Sequence, residues 1–120
     1  MKTLKRFYEA VGGNYTEVAS RLISDRLIRK FLLKFPDDSS YAVLCVSIEH
    51  EDYEEAFRAA HTLKGVCLNL GLSNLARSAI ALTEQLRSVG SPIDPIKLNN
   101  LMSEIKKEYV SVIKAIHGLK

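Results

Sequence analysis

Helix breakers divide this chain into segments, and each segment carries the apolar spacing of a helix. The stops are Gly12-Gly13-Asn14, Pro36 with the DDSS stretch at 37–40, Gly71, Gly90-Ser91-Pro92 and Gly118. Between them apolar residues recur at three and four positions, as Leu4, Phe7, Tyr8 and Val11 do in the first segment. No segment sustains the alternation of a half-buried strand, and no hairpin dipeptide joins two β-branched runs. Short connections between long helices make sequence neighbours into antiparallel neighbours in space.

The expected elements follow from the caps. A helix covers residues 2–11, and a short one runs from Tyr15 to about Leu22. Asp25 is the expected N-cap of RLIRKFLLKF, which Pro36 ends, and Ser39 or Ser40 caps YAVLCVSIEH. Asp52 caps the next helix, with Glu55 three residues on in the outline of a capping box. Gly71 ends that helix and Ser73 opens another, running to about Val89. The last helix runs from Pro95 to about His117, with proline in its first turn and Gly118 past its end. The predicted architecture is all-α: an antiparallel up-down four-helix bundle with additional short N-terminal helices. It forms one domain, 1–120, with its four-helix core at about 38–118 and N-terminal helices at 2–36 packed against it. A chain of 120 residues buries one core without staples or metals.

Composition narrows the classes of function. No apolar run is long enough for a membrane span. The basic start, MKTLKRFYEAVGGN, lacks the apolar stretch of a signal peptide, so a cytoplasmic location is expected. Cys45 and Cys67 lie in apolar sequence without CxxC spacing and read as buried thiols. Net charge is +3, and the basic residues gather near the two ends, from Arg21 to Lys34 and from Lys97 to Lys120. With no interleaved aromatics these read as solvated helix faces, so no nucleic-acid partner is expected. His50, His61 and His117 form no HxxxH or ExxH pair, so no metal site is expected either.

One histidine stands apart from this bland reading. Projected at 100° per residue, Tyr53, Ala56, Phe57, Ala60, Leu63, Cys67 and Leu70 form the apolar stripe expected to face the core. His61 lies roughly 120° from the centre of that stripe. His61, Lys64, Gly65 and Leu68 are neighbours on the helix surface at spacings of three, four and seven, flanked by Glu54 and Arg58. A solvent-facing imidazole is largely uncharged and nucleophilic at neutral pH. A lysine beside it neutralises an anion placed on the ring. Glycine inside a helix costs about 1 kcal/mol relative to alanine. Gly65 therefore implies something that a side chain would obstruct. A nucleophile, a cation and a clearance suit receipt of a phosphoryl group, a transfer that depends on positioning and charge stabilisation. The competing reading is a helical protein-interaction module that is never phosphorylated.

At this point a resemblance enters. AHTLKGVCLNLGLSNLARSAIALTEQLR, residues 60–87, resembles the signature of histidine-containing phosphotransfer (HPt) domains. That signature is a histidine, any residue, leucine, lysine and glycine, then a second glycine six positions later and a leucine-rich helix. The matching positions are His61, Leu63, Lys64, Gly65, Gly71, Leu75 and Leu82, and DYEEAFRAA before them is similar to the lead-in.

The resemblance implies a four-helix bundle that relays phosphoryl groups in two-component signalling. It implies that His61 accepts the group from an aspartyl phosphate of a response-regulator receiver domain and passes it on. Lys64 would balance phosphate charge and Gly65 would admit the receiver's loops. Arg58 and Leu68 would line the contact. Family members often hold the histidine with a glutamate or glutamine from the next helix. In ungapped register that position is Thr83, shorter but able to bond an imidazole, and Glu84 beside it is the alternative for the same contact. Arg87 resembles a second cation near the site. The expected partners are a receiver domain and a hybrid sensor kinase. Magnesium is expected on the receiver and no cofactor on this chain. Without an ATP-binding segment the chain is expected to be a stoichiometric, monomeric shuttle rather than an enzyme.

Overall fold

The computed structural model describes residues 3–22, 24–87 and 92–119, and the described elements are all helical. In chain order they are α1 (Leu4–Ala10), α2 (Tyr15–Arg21), α3 (Asp25–Lys34), a 3-10 turn at Phe35–Asp37, α4 (Ser40–Glu49), α5 (Tyr53–Asn69), α6 (Ser73–Arg87) and α7 (Pro95–His117). The expected break at Gly90-Ser91 and the expected end of α6 near Val89 lie outside the described residues.

The caps explain most of these boundaries. The Asp52 carboxylate accepts from the Glu55 N–H at 3.1 Å and starts α5. Only half of the expected capping box forms, because the Glu55 carboxylate pairs with Arg58 instead. At α7, Asp94 accepts from Ile96 and Lys97, with Pro95 at the first position, where its missing N–H costs nothing. The cap of α3 is Ser24, whose hydroxyl oxygen accepts from Leu27. Asp25, expected to be the cap, is instead the first helical residue, where its charge meets the positive end of the helix dipole.

Helices α4 to α7 form the bundle. Each packs along the next in sequence, and Tyr41 of α4 stacks on Tyr109 of α7 with ring centroids 3.8 Å apart. Three-residue connections at 50–52 and 70–72 force antiparallel neighbours. Leu44, Leu63, Leu75, Leu82, Ile105 and Ile116 have no exposed surface and fill the centre. Burial of each contributes about 1.5–3 kcal/mol.

The N-terminal helices cover one end of the bundle, where α5 gives way to α6 and α7 finishes. Two turns interlock there. The Asn14 N–H donates to the Gly71 carbonyl at 2.9 Å, and the Asn74 N–H donates to the Gly12 carbonyl at 3.1 Å. The Tyr8 hydroxyl donates to the Leu70 carbonyl at 2.7 Å. At the same end Arg29 donates to the carbonyl of Leu119 at 3.0 Å. The molecule is accordingly long, 45 × 23 × 21 Å. The 23 residues of α7 account for about 35 Å of that length.

Candidate functional site

His61 sits midway along α5, on the side away from the core. Ala56, Ala60, Leu63, Cys67 and Leu70 are buried, whereas His61 and Gly65 are exposed. Leu68 keeps 45 % of its surface exposed, and Lys64 is half-buried. The structure therefore puts His61, Lys64, Gly65 and Leu68 on one continuous outer strip.

Gly65 differs from Gly12, Gly13 and Gly71 because no side chain or neighbouring helix among the described residues crowds it. Beyond its chain neighbours and its own helix backbone, a methyl group at this position would meet no described atom within 4 Å. Gly71 differs: its φ is +68°, and a Cβ there would stand 2.9 Å from the Asn14 carbonyl oxygen. Gly71 is demanded by the fold. Gly65 is not, so the helix carries its cost of about 1 kcal/mol without an internal reason.

The cations around His61 are not equivalent. Arg58 reaches back to Glu54 at 3.1 Å and Glu55 at 2.7 Å, so two carboxylates share its charge. Arg87, from α6, stands 3.5 Å from Glu84. Lys64 pairs with no carboxylate among the described residues. It is the cation of the strip with its three donors uncommitted.

Two expected contacts are corrected. Thr83 does not hold the imidazole: it is fully buried, and its hydroxyl donates at 2.7 Å to the carbonyl of Ala79 one turn earlier. It faces the core because α6 presents Leu75, Ala76, Ala79, Leu82, Thr83 and Leu86 on its inner side. Glu84 does not reach His61 either, being engaged with Arg87. Among the described residues the His61 imidazole makes no hydrogen bond.

What touches His61 is a residue assigned to the core stripe. Phe57, one turn before it, is only half-buried, and its ring centroid lies 6.1 Å from that of His61 at a tilt of 45°. The Arg87 guanidinium lies over the same ring, 5.6 Å from its centroid. Spacing alone would have revealed Phe57, since it is four residues before His61. It was hidden by its hydrophobicity.

A second unforeseen residue is Arg21. From α2 it donates to the carbonyls of Leu68 at 2.7 Å and Asn69 at 3.0 Å. Both carbonyls lie in the last turn, where a helix runs out of its own i+4 donors, and that of Leu68 also accepts from the Gly71 N–H at 3.3 Å. No local sequence signal links residues 47 positions apart. The contact fixes α2 beside the exposed Leu68, bordering a groove of about 180 Å³ that also includes Glu17, Arg77 and Ile80.

Among the described residues no group of three or more His, Cys, Asp and Glu is arranged to hold a metal ion. No helix among them is long and apolar enough to cross a membrane. Compared with known families, the chain matches the family model described as the Hpt domain over residues 26–116. No curated protein and no solved structure matches it.

Proposed function

Because this chain belongs to the Hpt domain family, a family of phosphotransfer modules in His–Asp phosphorelays that interact with receiver domains, we propose that it accepts a phosphoryl group on His61 from a receiver aspartate and passes it on. The observation that carries this reading is the outer strip of α5: an exposed imidazole, an uncommitted ammonium and a glycine with open space around it.

The chemistry assigns each residue a task. The unprotonated ring nitrogen of His61 attacks phosphorus through its lone pair. The N–P bond forms as the P–O bond to the aspartate breaks, and the carboxylate leaves as the anion. The proton on the other ring nitrogen is released to solvent or kept. Lys64 balances the negative charge now standing on α5. Such transfer gains mostly from positioning and charge stabilisation, so little more is needed from this chain. The clearance at Gly65 admits the receiver's loops, and Leu68 supplies apolar contact inside a polar rim, a common pattern for interfaces that must part again.

On this proposal Arg58 and Arg87 contribute at the rim, where their carboxylate partners moderate their charge. Magnesium belongs to the receiver, and this chain brings no cofactor. It acts as a stoichiometric, monomeric shuttle in the cytoplasm, downstream of a hybrid sensor kinase, and does not phosphorylate itself from ATP.

The test mixes the chain with a phosphorylated receiver and follows acid-labile, base-stable phosphate. Uptake by the wild type that is lost in His61→Gln supports the proposal. A His61→Gln chain that takes up as much as wild type contradicts it. Absence of uptake by the wild type from any phosphorylated receiver favours the interaction module instead.

A further inference from the structure

We propose that Phe57 is the positioning residue for the His61 imidazole, with Arg87 holding Phe57 in place. The inference rests on the reading of His61 as phosphoacceptor and adds how its ring is aimed. An exposed histidine has two free side-chain torsions. It is usually fixed by a hydrogen bond to one ring nitrogen, which also sets the tautomer. His61 has no such bond among the described residues. Thr83 has turned its hydroxyl to Ala79, and Glu84 has turned to Arg87.

Contact with an aromatic ring takes that place. The Phe57 and His61 centroids, 6.1 Å apart and tilted by 45°, lie within the 4.5–7 Å range of favourable aromatic pairs. Among the described residues the pairing leaves the imidazole nitrogens without a hydrogen-bond partner, so the one that attacks phosphorus is unobstructed. Phe57 is itself restrained. Its stem lies at the edge of the core beside buried Ala56 and Ala60, and the Arg87 guanidinium covers its ring at 5.6 Å, within the range of a cation–π contact. Glu84 in turn holds Arg87 at 3.5 Å. The order of support therefore runs from α6 through Glu84 and Arg87 to Phe57 on α5, and from there to His61. It links the two helices through side chains alone.

The test compares Phe57→Leu, which keeps apolar bulk and loses the ring, with Phe57→Tyr, which keeps the ring. Two readouts are taken on the full chain. The first is proton NMR of the His61 ring. Its carbon-bound protons should carry a ring-current displacement in wild type and in Phe57→Tyr, and lose it in Phe57→Leu. The second is phosphoryl transfer from a phosphorylated receiver. At saturating receiver, Phe57→Leu should slow by about two- to tenfold, the range an aromatic pair is worth, with the half-saturating concentration unchanged, and Phe57→Tyr should restore the rate. Unmoved His61 ring protons in Phe57→Leu overturn the inference, as does a wild-type transfer rate in that variant. A wild type that accepts no phosphoryl group contradicts the function rather than this contact, and the ring-proton shifts then decide alone whether Phe57 aims the imidazole.

Discussion

The Thr83 hydroxyl donates to the Ala79 carbonyl at 2.7 Å from a side chain with no exposed surface. This bond places Thr83 in the packing of α6 and not in the phosphoryl site. Thr83→Val is predicted to keep transfer within about twofold of wild type and to change stability by less than about 1 kcal/mol, since one neutral hydrogen bond is lost. Thr83→Gln forces a longer polar chain into closed space and should lower stability by about 1–3 kcal/mol. Denaturant unfolding and a transfer assay on the two variants check both statements. A Thr83→Val chain that unfolds normally but transfers tenfold more slowly would return the hydroxyl to the site.

Gly65 separates stability from function. With open space at its Cβ position, Gly65→Ala should stabilise the fold by about 0.5–1 kcal/mol. Gly65→Gln should fold at least as well as wild type but hold a receiver away from His61, slowing transfer by about 10- to 100-fold. Thermal melts beside transfer rates measure this. Unchanged transfer in Gly65→Gln would remove the explanation for this glycine.

Gly71 should behave in the opposite way. Its φ of +68° and the Asn14 carbonyl 2.9 Å from a would-be Cβ penalise any side chain. Gly71→Ala is predicted to cost about 2–4 kcal/mol, from left-handed strain together with a disturbed turn. Hydrogen exchange should show the loss first at the Asn14 N–H, whose acceptor is the Gly71 carbonyl. A melting temperature equal to wild type would contradict the interlocked turns.

Burial pushes the Cys67 thiol up from 9.0 to about 12, with the nearby Asp38 charge adding to the effect. A group raised in the folded state contributes stability that is complete below its unfolded value and is lost as pH rises toward the folded one. Cys67 should therefore erode folding stability between about pH 9 and pH 12. At pH 8 an alkylating reagent should modify half-exposed Cys45 and spare Cys67 until denaturant is added. Native Cys67 reacting as fast as Cys45 would contradict its burial.

The parts of this molecule written locally were readable from its sequence. Helix periods, the breakers at Gly12-Gly13 and Gly71, and the Asp52 and Asp94 caps each act within a few residues. The helical projection of α5 exposed His61, Lys64 and Gly65 together for the same reason. Two features were not readable, and a third was readable but overridden by the resemblance. The resemblance sets Thr83 against His61, whereas its own helix period turns it inward between Ala79 and Leu86. Phe57 was assigned to the core because hydrophobicity does not distinguish a buried ring from one at the core's edge. Arg21 reaches the end of α5 only because Gly12-Gly13-Asn14 docks on the Gly71 turn, a contact that exists only after the chain has folded.

The most direct measurement of the central claim is the position of the phosphoryl group after incubation with a phosphorylated receiver. It can be mapped by fragmentation mass spectrometry that preserves the N–P bond, with phosphorus NMR on the intact chain. The account predicts a single phosphohistidine at His61, which disappears when a second, unphosphorylated receiver is added. A phosphoryl group found on His50 or His117, or none on any histidine, would contradict it.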